Sequence, residues 1–166
     1  VELSMTEQPP TREEIFILLE EVLDPEVPAL SIVDLGIVRD AEANASGILV
    51  TITPTYSGCP AMAVIEEGVK ARLHQAGFEQ VTVRTVLSPA WSSTWISEAG
   101  RKKLKEYGIA PPMQQSGDLI TINPKVPCPF CDSSKTERRS QFGPTACKAM
   151  YFCRECQQPF EYFKDF

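Results

Sequence analysis

The chain has 166 residues, 43% of them hydrophobic, which is enough for one ordinary domain with a real core plus a small appendage. Its formal charge of −6 disfavours nonspecific attraction to nucleic acid or to an anionic membrane surface. The longest apolar runs are strand-sized, such as IFILL at 15–19, far short of the roughly 20 apolar residues that cross a bilayer.

The segment VELSMTEQPP is acidic and polar, without the basic start and apolar stretch of a secretory signal. A cytoplasmic protein is expected, with a flexible N-terminus over residues 1–10. Pro9 and Pro10 are followed by Thr11-x-x-Glu14, the pattern of a capping box, so a helix should start there. Ile15, Leu18, Leu19 and Val22 recur at helical spacing, and Pro25 is expected to end the element. SIVDLGIVRDAEANASGILVTITP then reads as a hairpin, with turn chemistry from Asn44 to Gly47 and alternation along Ile48, Val50 and Ile52.

From Ala61 the pattern returns to helical, with Ile65, Val69, Leu73 and Ala76 on one side and Gly77 as the stop. EQVTVRTVLSP alternates again as a third strand, and WSSTWISEAGRKKLKEYG offers serine caps, cations in its second half and Gly108 as terminator. The predicted order is α-β-β-α-β-α, a compact α+β domain over 11–108 with a small sheet packed by helices. IAPPMQQSGD, residues 109–118, reads as a linker, and residues 119–166 as a separate small domain.

That last segment holds five of the six cysteines. Cys128-Pro-Phe-Cys131 and Cys153-Arg-Glu-Cys156 are two Cys-x-x-Cys pairs separated by 21 residues, the spacing of a zinc ribbon. Four thiolates satisfy tetrahedral zinc, and a segment this short needs such a staple because it cannot bury enough apolar area alone. Disulfides and a rubredoxin-like iron or iron-sulfur site are the competing uses of the same four residues. Cys147 lacks a knuckle partner and reads as a small buried hydrophobe, with a replacement ligand as the alternative. The tail mixes Lys135, Arg138 and Arg139 with Glu137, Glu155, Glu161 and Asp165, a solvated surface rather than a nucleic-acid face.

Cys59, in TYSGCPAM, stands apart from the other five. Pro60 at the first helical position would make Cys59 the N-cap, where backbone donors and the helix dipole favour thiolate over thiol. A nucleophile, a soft-metal ligand and a cysteine that merely packs under the loop all fit that placement. His74, the single histidine, is about four turns along the same helix, roughly 20 Å away. It is expected to face solvent, which argues against a Cys-His catalyst.

The motifs DPEVPALSIVDLGIVRD, TYSGCPAM and SPAWSSTWISEAGRKKL, in this order, resemble the SufT-type domain of iron-sulfur cluster assembly factors, with Ala90 where that family has a second proline. With the cysteine-rich tail, the whole chain resembles the PaaD family, accessory subunits of the multicomponent phenylacetyl-CoA epoxidase of aerobic phenylacetate breakdown. The resemblance implies that Cys59 is the ligand or transfer cysteine for iron or an iron-sulfur cluster, with Asp24, Glu26, Asp34 and Thr55 supporting it from the motif loops. It implies a non-catalytic role in maturing or assembling the epoxidase. The partners would be its oxygenase or iron-sulfur reductase component, the ribbon would hold a structural zinc, and neither nucleic acid nor membrane would be bound. One thiolate cannot hold a cluster alone, so a homodimer mate, a partner or a small thiol is expected to complete it. A structural scaffold of the epoxidase and a Cys59-dependent thiol transferase are the alternative readings.

Overall fold

The computed structural model describes residues 8–113 and 125–165. Most of the N-terminus expected to be flexible lies outside the described residues, as do positions 114–118 of the expected linker and 119–124 of the expected ribbon. Among the described residues no helix is long and apolar enough to cross a membrane. The chain divides into two compact units, Val1–Ala90 and Trp91–Phe166.

In the first unit, α1 (Arg12–Leu19) opens with the capping box expected for it: Glu14 N–H donates to Thr11 Oγ1 at 3.2 Å, and Thr11 N–H donates to Glu14 Oε2 at 2.8 Å. Ile15 and Leu19 are fully buried. The helix ends at Leu19, well before Pro25. The residues in between are taken into loop structure, through a bridge between Leu23 and Ser31 and a turn closed by Asp24, whose Oδ1 accepts from the N–H groups of Glu26 and Val27 at 2.9 and 2.7 Å. Such side-chain-to-backbone bonds compete with helix for the same donors.

The strands β1 (Val38–Asn44) and β2 (Gly47–Ile52) form the expected antiparallel hairpin, and Asn44 Oδ1 accepts from Ser46 N–H at 2.8 Å in its turn. Helix α2 (Met62–Gln75) crosses back to β3 (Val81–Thr85), which pairs parallel with β2, giving a sheet ordered β1-β2-β3. Ile48, Val50 and Ile52 of β2 are buried, as are Ile65, Val69 and Leu73 of α2, a helical stripe and an alternating strand that together supply the core. Ala76, read as part of that stripe, is exposed, because the helix is already ending there. Gly77, at φ +97°, stops α2 in the left-handed region.

The second unit opens with a 3-10 turn at Ser93–Trp95 and then α3 (Glu98–Glu106), capped by Ser97, whose Oγ accepts from Gly100 N–H at 2.9 Å. The order α-β-β-α-β-α therefore holds along the chain, with α3 grouped into the cysteine-rich unit. Within the stretch read as linker, Ile109–Ala110 form a short strand, β4, buried and paired parallel with β7 (Pro159–Phe163). Two apolar residues after Gly108 are enough to add an edge to a sheet that has too little surface to cover itself. The strands β5 (Thr136–Ser140) and β6 (Lys148–Cys153) complete this sheet in the order β4-β7-β6-β5. Tyr151, Phe160 and Tyr162 pack as its aromatic core, with ring centroids 5.5 to 5.7 Å apart.

Gly47 is the hairpin position that tolerates no side chain. Its φ is +121°, and a Cβ there would fall on the Gln80 carbonyl, which accepts the Ile48 N–H at 2.8 Å. Gly47→Ala is expected to destabilise the first unit by about 1–3 kcal/mol, read as a lower urea midpoint, while the metal content of the second unit stays unchanged.

Candidate metal centre and the Cys59 loop

The two Cys-x-x-Cys pairs converge. The sulfurs of Cys128, Cys131, Cys153 and Cys156 all lie within 4.8 Å of one another, with Cys128 to Cys156 and Cys131 to Cys153 each at 3.6 Å. A disulfide needs sulfurs about 2.0 Å apart, and none of the six cysteines forms one. Four sulfurs around a tetrahedral ion at about 2.3 Å would be separated by about 3.8 Å, so the spacing observed is that of a metal set.

The backbone explains the convergence. Asp132 and Gln157, each directly after the second cysteine of a pair, have φ of 59° and 57°. These left-handed residues turn each loop back so that Asp132 N–H donates to Cys128 O at 2.9 Å and Cys153 N–H donates to Gln158 O at 3.0 Å. The sequence reading missed both, although the position after a second knuckle cysteine was a signal. Cys128 and Cys153 are completely buried, and backbone N–H groups of Cys156 and Glu155 aim at Cys153 and pull its thiol down to about 7. Burial pushes the Cys156 thiol up to about 12. A cation bound by all four would override that difference, because metal ligation deprotonates thiols outright. Cys147 lies outside the group, buried, with its sulfur 3.1 Å from Thr145 Oγ1, in accord with the reading of a small buried residue.

Cys59 occupies a different environment. It is half-buried and does not cap α2: the N-cap is Ala61, and no side chain caps that end. The loop first makes a turn, Cys59 N–H donating to Tyr56 O at 3.1 Å, and Pro60 falls in a second turn before the helix begins. The expectation of a thiolate-favouring N-cap is thus corrected. Burial pushes the Cys59 thiol above its ordinary value, the Ala61 N–H opposes this, the charges of Glu26 and Asp24 push it further up, and the Thr55 hydroxyl opposes them.

Asp24, Glu26 and Thr55 therefore lie close enough to bias the Cys59 proton, but among the described residues the side chains grouped tightly enough to hold a metal are the four tail cysteines, not Cys59 with these carboxylates. Asp24 and Thr55 are buried. Asp34 is also buried but is engaged in its own loop, accepting from Ser31 N–H at 3.2 Å while Ser31 Oγ accepts from Asp34 N–H at 2.9 Å. His74 is exposed on the last turn of α2, as expected.

Comparison with known proteins agrees with this division. Residues 12–85 match the family described as iron-sulfur cluster assembly protein, and residues 113–164 match the PaaD zinc beta ribbon domain. A protein of Escherichia coli (strain K12), described as one of the subunits of 1,2-phenylacetyl-CoA epoxidase, is 44% identical over 94% of both chains. An Fe-S protein maturation auxiliary factor of Porphyromonas gingivalis is 32% identical over 57% of this chain and 90% of its own. A solved domain of unknown function from Bacillus anthracis superposes with a TM-score of 0.53 at 31% identity, covering 56% of this chain and 90% of that one.

Two outcomes follow from the geometry. Purified chain is expected to carry one zinc, Cys128→Ser to lose it together with the near-ultraviolet circular dichroism of the Tyr151 cluster, and Cys147→Ser to keep both, as measured by elemental analysis beside the spectrum. Because the Cys59 pKa is raised, its thiolate is scarce at neutral pH and grows only as pH climbs past that of an ordinary thiol. Iodoacetamide labelling, followed by peptide mass spectrometry, should therefore show a midpoint above that of free cysteine. Glu26→Gln should lower the midpoint and speed labelling at pH 7 on the order of a few-fold.

Proposed function

Since the chain belongs to the PaaD family, we propose that it is an accessory protein of a phenylacetyl-CoA epoxidase, assisting its maturation by holding iron or an iron-sulfur cluster at Cys59 for transfer to a partner subunit. The observation that carries this reading is the 44% identity to an epoxidase component over 94% of each chain. The match of residues 12–85 to an iron-sulfur cluster assembly family supports the nature of the cargo. In this reading Cys128, Cys131, Cys153 and Cys156 hold a structural zinc that supplies folding free energy to the tail and takes no part in transfer. The protein is not itself the oxygenase, and it acts in the reducing cytoplasm.

The surroundings of Cys59 favour cargo over catalysis. A thiol kept protonated by burial and by two carboxylates is a poor nucleophile at neutral pH, which argues against the thiol transferase. An incoming cation meets the opposite situation. Glu26 and Asp24 attract it, and ligation displaces the thiol proton that those same charges had stabilised. Asp34, given its bonds to Ser31, supports the loop rather than the sulfur. A cluster requires about four ligands, so the remaining donors come from the receiving subunit, a second copy or a small thiol.

The purely structural scaffold is separated by one comparison. In cells that depend on phenylacetate, Cys59→Ser is expected to reduce epoxidase activity and the iron content of the purified complex by about tenfold or more, while the variant still copurifies and keeps its zinc. Wild-type activity and iron in that variant, with loss of both only on removing the ribbon, would leave the scaffold as the correct account.

A further inference from the structure

The second unit carries a surface beside the four-cysteine centre, with Cys128 lining its cavity, that no reading given above uses. Tyr107, directly after α3, is 57% exposed, and Phe130, inside the first knuckle, is 56% exposed. Phe130 lies over the residue next to Tyr107: a Cβ on Gly108 would be 3.0 Å from its ring. Lys105 Nζ reaches Asp132 Oδ1 at 2.5 Å and ties the helix to the same knuckle. Adjoining them is a cavity of about 240 Å3, lined by Lys105 and Asp132 together with Pro111, Met113, Pro127 and Pro129. Exposed aromatics beside an apolar concavity are the usual anchors of a protein interface.

Charge selects the occupant. Residues 91–166 hold 11 Lys and Arg against 8 Asp and Glu, a formal +3, whereas residues 1–90 hold 5 against 14, a formal −9. The overall −6 conceals this polarity. Lys102, Lys103, Lys105 and Lys125 are exposed on α3 and just before the first knuckle. An acidic partner is attracted to this unit and not to the other. A nucleic acid fits less well. Glu106 and Asp132 lie among the lysines, and Arg101 is committed to the carbonyls of Ser93 and Pro112 at 2.8 and 2.6 Å. A second copy could offer its acidic residues 1–90; self-association is therefore read separately in the test below.

We propose that Tyr107, Phe130 and the proline-lined cavity form the docking surface for an acidic face of a partner protein, which seats an apolar side chain in the cavity. Resting on the accessory role above, the partner is an epoxidase subunit, and the surface presents it to a protein whose cargo residue lies elsewhere in the chain.

The test uses full-length, zinc-loaded protein and the purified epoxidase subunits of the same source, with binding measured by calorimetry at two salt concentrations. Phe130→Ala and the double variant K102E/K103E are each expected to weaken binding by about tenfold or more. The charge variant should also flatten the salt dependence, with zinc content unchanged. Ile17→Ala, at an exposed apolar position of α1, should bind as wild type. Wild-type affinity in both Phe130→Ala and K102E/K103E overturns the surface and leaves the accessory role intact. Failure of the wild-type chain to bind any subunit overturns both. Concentration-dependent self-association that Phe130→Ala abolishes would give the surface to a second copy, against the assignment made here.

Discussion

Four sulfurs held within 4.8 Å of one another are the constraint around which the cysteine-rich unit is arranged. The core of that unit is shared with the sulfur set: Cys128 and Cys153 pack with Val126, Tyr151, Phe160 and Tyr162. Sulfur cluster and core are therefore one object, and a metal bound by the cluster would order the core with it. Strand pairing follows from the same convergence. Cys153 ends β6, and the left-handed turn at Gln157 returns the chain as β7, to which β4 adds its two residues. Tyr162 then donates to Asp165 at 2.6 Å, fastening the end of β7.

Cys59 shows the opposite use of the same residue type. Among the described residues it belongs to no group of three or more possible metal ligands, and its proton is biased by a hydroxyl and two carboxylates. A closed set of four thiolates holds a metal permanently, whereas a single thiol among carboxylates is a temporary holder at most. The proposed division of labour, structural zinc in the tail and transient cargo at Cys59, follows from that difference in coordination number. The formal charges of residues 1–90 and 91–166 are −9 and +3, so the two units of the proposed carrier differ in sign.

Much of this was legible in the primary structure because it depends on neighbours a few residues apart. The Thr11 to Glu14 capping box, the Asn44 to Gly47 turn, the Ser97 cap and the glycines after α2 and α3 are local chemistry, and each appears where its residues predicted. The Cys-x-x-Cys spacing likewise implied its own geometry. The misreadings concern residues whose state depends on distant partners. Proline rules carried α1 too far, since Asp24 and the Leu23 to Ser31 bridge take the backbone first. The same reliance on a proline assigned Cys59 to a helix cap that Ala61 occupies. Ile109 and Ala110 looked like linker because their strand partner lies some fifty residues later, at Glu161 and Tyr162.

The amino-acid sequence by itself determined the order of elements, the four converging cysteines and the isolation of Cys59, because periodicity, capping and ligand spacing act over a turn or two of chain. Only the tertiary structure decided the protonation of Cys59. Burial and the charges of Asp24 and Glu26, more than thirty positions away along the chain, outweigh the local donor that favours thiolate. It also decided that α3 and β4 belong with the cysteine-rich unit, and that the Phe130 ring lies over Gly108 at the end of α3. Electrostatic fields and strand pairing act through space, and the spacing of residues along a chain does not report them.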